Sequence, residues 1–102
     1  APRPNQSISS PLVIEGDARG TWFFEATFPI KILDEKGNLI KESFATAQGE
    51  WMTENFVPFK AEIEFEAPSG PRGTLILEKD NPSGLPEYYD ELRVPVKFAR
   101  DI

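Results

Sequence analysis

The chain has 102 residues, of which 39% are hydrophobic and 12% aromatic, and its formal net charge is −6 at pH 7. This length and aromatic content suit one folded domain with a hydrophobic core and exclude a largely disordered chain. The acidic balance argues against general affinity for nucleic acid or anionic lipid. The sequence has no cysteine and no histidine, which excludes a thiol nucleophile, a disulfide, a histidine base and a zinc site of the usual ligands.

Residues 1–7 have neither the basic region nor the apolar region of a signal peptide. We expect them to form an extended N-terminal linker, followed by a single domain over residues 8–102. The apolar runs are too short to span a lipid bilayer, so any membrane attachment is expected from a lipid anchor outside these residues.

The dominant period of the apolar residues is two, which is typical of β-strands. A first strand is predicted over residues 10–15, at an edge of a sheet because Pro11 begins it. A longer alternation over residues 22–33 predicts a half-buried strand whose inner face carries Trp22, Phe24, Ala26, Phe28, Ile30 and Ile32. Gly37 then supplies the positive φ of a hairpin loop over residues 34–38.

Four more strands are predicted along the rest of the chain. A weaker strand over residues 39–47 is followed by a loop over 48–55. Residues 57–65 alternate strictly, with glutamates on the outer face. Residues 74–78 lack clean alternation, which favours a central position in a sheet. The last strand, 92–98, is expected to place Leu92, Val94, Val96 and Phe98 inward.

These short strands, with turn signals between them and no convincing helix, predict an all-β fold: an immunoglobulin-like antiparallel two-sheet sandwich of about seven strands. Only residues 85–90 could form a helical turn. The predicted core consists of large inward-facing side chains: Trp22, Phe24, Phe28, Ile30, Phe59, Ile63, Leu75, Val94 and Val96.

Several motifs, in this order along the chain, carry a family likeness. They lie at residues 10–18, 22–28, 51–53, 56–59, 73–77, 81–84 and 94–98. Together they resemble the immunoglobulin-like domain of bacterial spore germination (Gmad2) from about residue 8 to residue 98. The resemblance implies a β-sandwich from a bacterial extracytoplasmic protein, often a lipoprotein or an anchored protein. It implies no catalytic residues.

The loop between the third and fourth predicted strands is the first candidate binding surface. Trp51, Met52 and Phe56 lie within six positions, and such residues either pack inward or contact a partner. Trp51 is expected to fold back and plug one end of the sandwich rather than to form a patch for glycan or peptide. Tyr88 and Tyr89 are adjacent, so one is expected to pack and the other to be exposed.

Acidic residues suggest two further functions, which we regard as weaker. The segment 80–91 contains enough oxygen ligands for calcium, but its spacing does not match an EF-hand, so a solvated loop is favoured. Glu25 could act as a functional acid, although a carboxylate in mid-strand more often pairs with a basic neighbour. Glu62 and Glu64 are expected on a solvent-facing surface rather than in a substrate groove.

The sequence therefore predicts a non-catalytic interaction or spacer module of a bacterial cell-envelope or spore-germination-related protein, located outside the cytoplasm. The alternative is a small carboxylate-dependent hydrolase, or a glycan- or peptide-binding module, that acts on the cell wall. We expect no cofactor, no metal and no nucleic acid. The expected partner is a protein or a cell-wall component, and the pattern favours no particular oligomeric state.

Overall fold

A computed structural model of the chain describes residues 1–99, which form seven strands and two short 3-10 turns. The strands are β1 (Gln6–Ile8), β2 (Leu12–Arg19), β3 (Thr27–Asp34), β4 (Leu39–Ala47), β5 (Phe56–Ile63), β6 (Arg72–Glu78) and β7 (Glu91–Phe98). The 3-10 turns cover Gly20–Trp22 and Pro86–Tyr88. The predicted all-β class with about seven strands is confirmed.

The strands form one mixed sheet in the order β1-β7-β6-β3-β4-β5-β2. Most of β4 pairs with β3, but its end pairs with β5 through Thr46–Lys60 and Ala47–Phe59. Because β4 pairs on both sides, the sheet curves around the core instead of separating into two layers. The predicted division into two sheets is not confirmed, and the purely antiparallel arrangement is wrong because β1 runs parallel to β7.

The predicted strand over residues 22–33 begins too early. Its true start is Thr27, and a tight turn precedes it, in which Phe24 and Thr27 exchange backbone hydrogen bonds of 2.8 and 3.1 Å. Glu25 and Ala26 occupy the turn with φ values of 50° and 68°, as in a type I′ turn. The turn breaks the alternation, so Phe24, predicted in the core, is 46% exposed, and Glu25 does not lie in mid-strand.

The core otherwise follows the alternation. Phe23 is buried where Phe24 was expected, and the Trp22 ring is half-buried with its centroid 5.7 Å from that of Phe28. Every other predicted core residue is buried, namely Phe28, Ile30, Phe59, Ile63, Leu75, Val94 and Val96. Leu92, expected to face inward from β7, is instead 54% exposed.

Three connections lie at the same end of the sheet, which we call the loop end: residues 20–26, 48–55 and 79–90. The strand register sets this arrangement, because Arg19 pairs with Phe56, Thr27 with Thr46, and Glu78 with Glu91. The hairpin between β3 and β4 lies at the opposite end. There the Asp34 carboxylate accepts hydrogen bonds from the backbone N–H groups of Lys36 and Asn38.

The first residues join the two edges of the sheet. Ala1 and Glu15 of β2 exchange backbone hydrogen bonds, while the Asn5 N–H donates to the Pro95 carbonyl of β7. Gln6 and Ser7, predicted as part of the N-terminal linker, pair with β7 as part of β1. The segment therefore crosses from β2 to β7.

Candidate functional site

Trp51 belongs to a loop that packs closely on the protein. Its side chain is half-buried and contacts the core cluster. The loop backbone lies against Gly20, where an added Cβ would be 1.9 Å from the Thr53 carbonyl oxygen and 2.3 Å from that of Trp51. This close approach holds the Trp51 backbone beside the 20–22 turn.

Met52 and Phe56 are the exposed members of the same region. The Met52 side chain is 76% exposed and that of Phe56 is 61% exposed. The Arg19 guanidinium lies 4.1 Å from the centroid of the Phe56 ring, which is cation–π geometry. Arg19 also donates a hydrogen bond to the Glu54 carbonyl, so one cation connects the end of β2 to this loop.

Tyr88 and Tyr89 are both exposed, at 53% and 49%, although one was expected to pack. The Lys79 ammonium lies 5.9 Å from the centre of the Tyr88 ring. The Tyr89 hydroxyl donates to the Glu91 carboxylate, and this raises the pKa of Tyr89 to about 12. The hydrogen bond from Tyr89, together with one from Arg93, lowers the pKa of Glu91.

The 20–26 connection lies between the two groups of aromatic residues. On one side Gly20 donates its N–H to the Asn55 carbonyl, and on the other the Trp22 carbonyl accepts the N–H of Asp80. The five predicted residues thus share the loop end, with Trp51, Met52 and Phe56 on one side and Tyr88 and Tyr89 on the other. Phe24 is also exposed at the loop end. The sequence did not predict this, because the alternation placed Phe24 on the inner face of a strand.

A cleft of about 420 Å³, which no motif of the sequence predicts, opens between β2 and β7. Its wall on β2 carries Gly16 and Ala18, and its rim includes the exposed Leu92 and Phe56. The inward positions of β2 change along the strand from Leu12 and Ile14 to these two small residues. That change in side-chain size is the signal that the sequence offers for this region, although the Phe59 ring occupies the space beside Gly16, where an added Cβ would lie 2.9 Å from it.

The acidic side chains of the described residues are exposed or only partly buried. Among residues 1–99, no group of three or more histidine, cysteine, aspartate or glutamate side chains is arranged to hold a metal ion. Glu25, Glu62 and Glu64 are exposed. Glu91 lies at the cleft, but its lowered pKa favours the charged form.

No helix within the described part of the chain is long and apolar enough to cross a membrane.

Comparison with known proteins identifies one family. The family model described as the immunoglobulin-like domain of bacterial spore germination matches residues 1–84. This match confirms the resemblance indicated by the motifs and the immunoglobulin-like class of the fold. It covers β1 to β6, whereas the motif at residues 94–98 lies beyond it. No curated protein and no solved structure gives a significant match.

Proposed function

Because the chain belongs to the family of immunoglobulin-like domains of bacterial spore germination, we propose that it is a non-catalytic interaction or spacer module of a bacterial envelope protein that acts outside the cytoplasm. Family membership suggests a non-enzymatic module. The observation that carries the proposal further is the concentration of exposed apolar side chains at the loop end. Exposed aromatic and methionine side chains clustered on a rigid support are suited to binding.

The proposed contact surface consists of Met52, Phe56, Tyr88 and Tyr89, with Trp51 as its support. The first four are about half exposed or more. Trp51 is half-buried against the core, so its role is to hold the 48–55 loop in place. The opposite end has the hairpin that contains Asp34, Glu35 and Lys36, which offers charged side chains rather than aromatic ones.

A hydrolase that acts through carboxylates has less support. General acid catalysis by a carboxyl group needs a raised pKa, so that the group carries a proton near neutral pH. Glu91 lies at the cleft, and its pKa is lowered by hydrogen bonds from Tyr89 and Arg93. These hydrogen bonds favour the ionised form of Glu91, which has no proton to donate.

A co-sedimentation assay tests the proposed surface. Purified protein is mixed with insoluble cell-wall sacculi and with envelope membranes from a spore-forming bacterium, and the retained fraction is measured. We expect the double variant Met52→Ala/Tyr88→Ala to lose at least about tenfold in apparent affinity, because the loss of even one interface anchor is on that scale. Leu39→Ala, an exposed residue at the opposite end, is the matched control and should be retained like the wild type.

Equal retention of all three proteins, or retention of none, would contradict the proposal. The same samples, assayed for release of soluble sugar and peptide fragments, test the hydrolase. Release of fragments that Glu91→Gln abolishes would replace the binding module by an enzyme.

A further inference from the structure

The negative charge of the protein is concentrated at the loop end. The three connections there contain one basic residue, Lys79, and six acidic ones, which are Glu25, Glu50, Glu54, Asp80, Glu87 and Asp90. Because the whole chain has 17 acidic and 11 basic residues, the rest of it holds eleven acidic and ten basic ones. Five of the six net negative charges therefore belong to the end that also carries the exposed aromatic and methionine side chains.

These carboxylates have no basic partner within the described part of the chain. The ion pairs of residues 1–99 lie elsewhere and join Lys31 to Glu78, Lys60 to Glu15 and Arg93 to Glu91. At the loop end, Glu50 and Asp90 accept hydrogen bonds only from backbone N–H groups. Asp80 is half-buried, and the other five acidic side chains are exposed. A cationic partner would neutralise charge that the protein itself leaves unpaired.

Two basic side chains border the same end, and each lies over an aromatic ring. The Arg19 guanidinium is 4.1 Å from the centroid of the Phe56 ring, and the Lys79 ammonium is 5.9 Å from that of Tyr88. Both distances are within the range of cation–π contacts. The ring faces at this end are therefore accessible to cations, while the neighbouring carboxylates receive no counter-charge from these two side chains.

All three connections also contribute exposed apolar side chains. Phe24 and Leu85, each 46% exposed, add to Met52 and Tyr88. Apolar side chains with polar and charged ones around them are the usual composition of a protein interface. The carboxylates would repel an anionic lipid surface. A second copy of the chain joined through the same surface would add another set of carboxylates.

We propose that the partner of this end is a cationic polypeptide: a segment of another protein in which lysine or arginine side chains alternate with apolar ones. This partner binds the contact surface of the proposed function, and so it rests on that function. The apolar side chains of the segment contact Met52 and Tyr89, and its basic side chains pair with Glu50, Glu54 and Glu87. Charge complementarity of this kind raises the rate of association and selects the partner.

Peptide titration monitored at Met52 tests this partner. Met52 is the one methionine of the sequence, so the methyl NMR signal of methionine-labelled protein reports on this surface. The probe is the blocked hexapeptide acetyl-Lys-Trp-Lys-Leu-Lys-Trp-amide, and its analogue with glutamine at each lysine keeps the apolar side chains without the charge. We expect the lysine peptide to shift the signal saturably and to bind at least about tenfold more tightly than the glutamine peptide.

Two variants with the same change in net charge locate the effect. Glu54→Gln/Glu87→Gln removes two carboxylates of the loop end and keeps their size, so we expect it to bind the lysine peptide about fivefold more weakly. Glu62→Gln/Glu64→Gln is the matched control, because these exposed residues lie at or just after the end of β5 that is distant from the loop end. It should bind the lysine peptide like the wild type.

Salt separates the contribution of charge from that of apolar contact. Raising the salt concentration from about 0.01 M to about 1 M shortens the screening distance from about 30 Å to about 3 Å. The advantage of the lysine peptide over the glutamine peptide should then fall below about twofold. An advantage that persists at high salt would contradict selection by charge.

Three results overturn the cationic partner: no shift of the Met52 signal, equal binding of the two peptides, or loop-end and control variants that bind the lysine peptide alike. Retention on sacculi or envelope membranes that depends on Met52 and Tyr88, without a response to the lysine peptide, would contradict this partner and leave the proposed function standing. Absence of both would contradict both. A Met52 signal that moves with protein concentration alone would assign the surface to a second copy and overturn the proposal.

Discussion

Gly20 is the residue at the loop end where an added methyl group has least room. A Cβ there would be 1.9 Å from one backbone oxygen and 2.3 Å from another, and backbone atoms cannot rotate away. We expect Gly20→Ala to lower the free energy of unfolding by about 2–3 kcal/mol, typical of overpacking. Gly49→Ala is the matched control, since nothing lies within 4 Å of its Cβ. Denaturant titration measures both, and equal stabilities would contradict the close packing of the 48–55 loop.

Trp51 and Met52 are neighbours with different surroundings. Trp51 is half-buried against the core and Met52 is 76% exposed. We expect Trp51→Ala to cost about 2 kcal/mol, less than the roughly 3–5 kcal/mol of a fully buried tryptophan. Met52→Ala should change stability by less than about 0.5 kcal/mol. A negligible loss for Trp51→Ala would make its ring a free binding anchor instead of a support.

Tyr89 provides a test at alkaline pH. Its hydrogen bond to Glu91 raises the pKa of the phenol to about 12, above its ordinary value near 10. Because the folded-state pKa is raised, the stabilisation is complete below about pH 10 and is lost as the pH rises through about 12. Absorbance titration of tyrosinate in a Tyr88→Phe background isolates Tyr89. Glu91→Gln should return its pKa toward the ordinary value, and an unchanged titration would contradict the hydrogen bond.

The turn before β3 has an unusual composition, because its two central residues have positive φ and neither is glycine or asparagine. Ala26 has a φ of 68°, which is unfavourable for a residue with a Cβ. We therefore expect Ala26→Gly to stabilise the protein by about 1 kcal/mol. Ala47→Gly, within β4, should have the opposite sign because glycine weakens a strand. Thermal unfolding measures the stability of both variants. Destabilisation by Ala26→Gly would contradict the positive φ of Ala26.

The same turn explains what the sequence could and could not predict about the strands. The alternation in β5 and the bounds of β4 follow from local pattern, because burial on one face imposes a period of two. Glu25 and Ala26 carry no common turn signal, so the start of β3 was predicted five residues early. The short β1 depends on its parallel pairing with β7, which involves residues 90 positions apart in the sequence.

The candidate surfaces also differ in how far the sequence predicts them. The loop residues Trp51, Met52 and Phe56 could be found from composition alone, because clustered aromatic residues in a loop are conspicuous. The exposure of Leu92 could not, since Leu92 continues the alternation of the buried residues Val94, Val96 and Phe98 in β7. A cleft between two edges is a property of the tertiary arrangement, and local periodicity contains no information about it.

At the scale of the whole molecule, one continuous sheet curves around the core without complete closure. The N-terminal segment connects β2 to β7. Ala1 bonds to Glu15 of β2, and Asn5 bonds to Pro95 of β7. The cleft of about 420 Å³ lies between the same two strands. The binding function proposed for this family member depends on the aromatic and methionine side chains that the loop end leaves accessible.

Amide hydrogen exchange of the free protein at low concentration tests the incomplete closure of the sheet most directly. Ala18 lies in a position that bonds to β5, whereas the Asp17 N–H faces the cleft. We predict that Ala18 exchanges slowly, through opening of the sheet, and that Asp17 exchanges within about tenfold of the rate of an unstructured chain. If Asp17 is protected as strongly as Ala18 in the monomer, the sheet is closed at β2 and the account is contradicted.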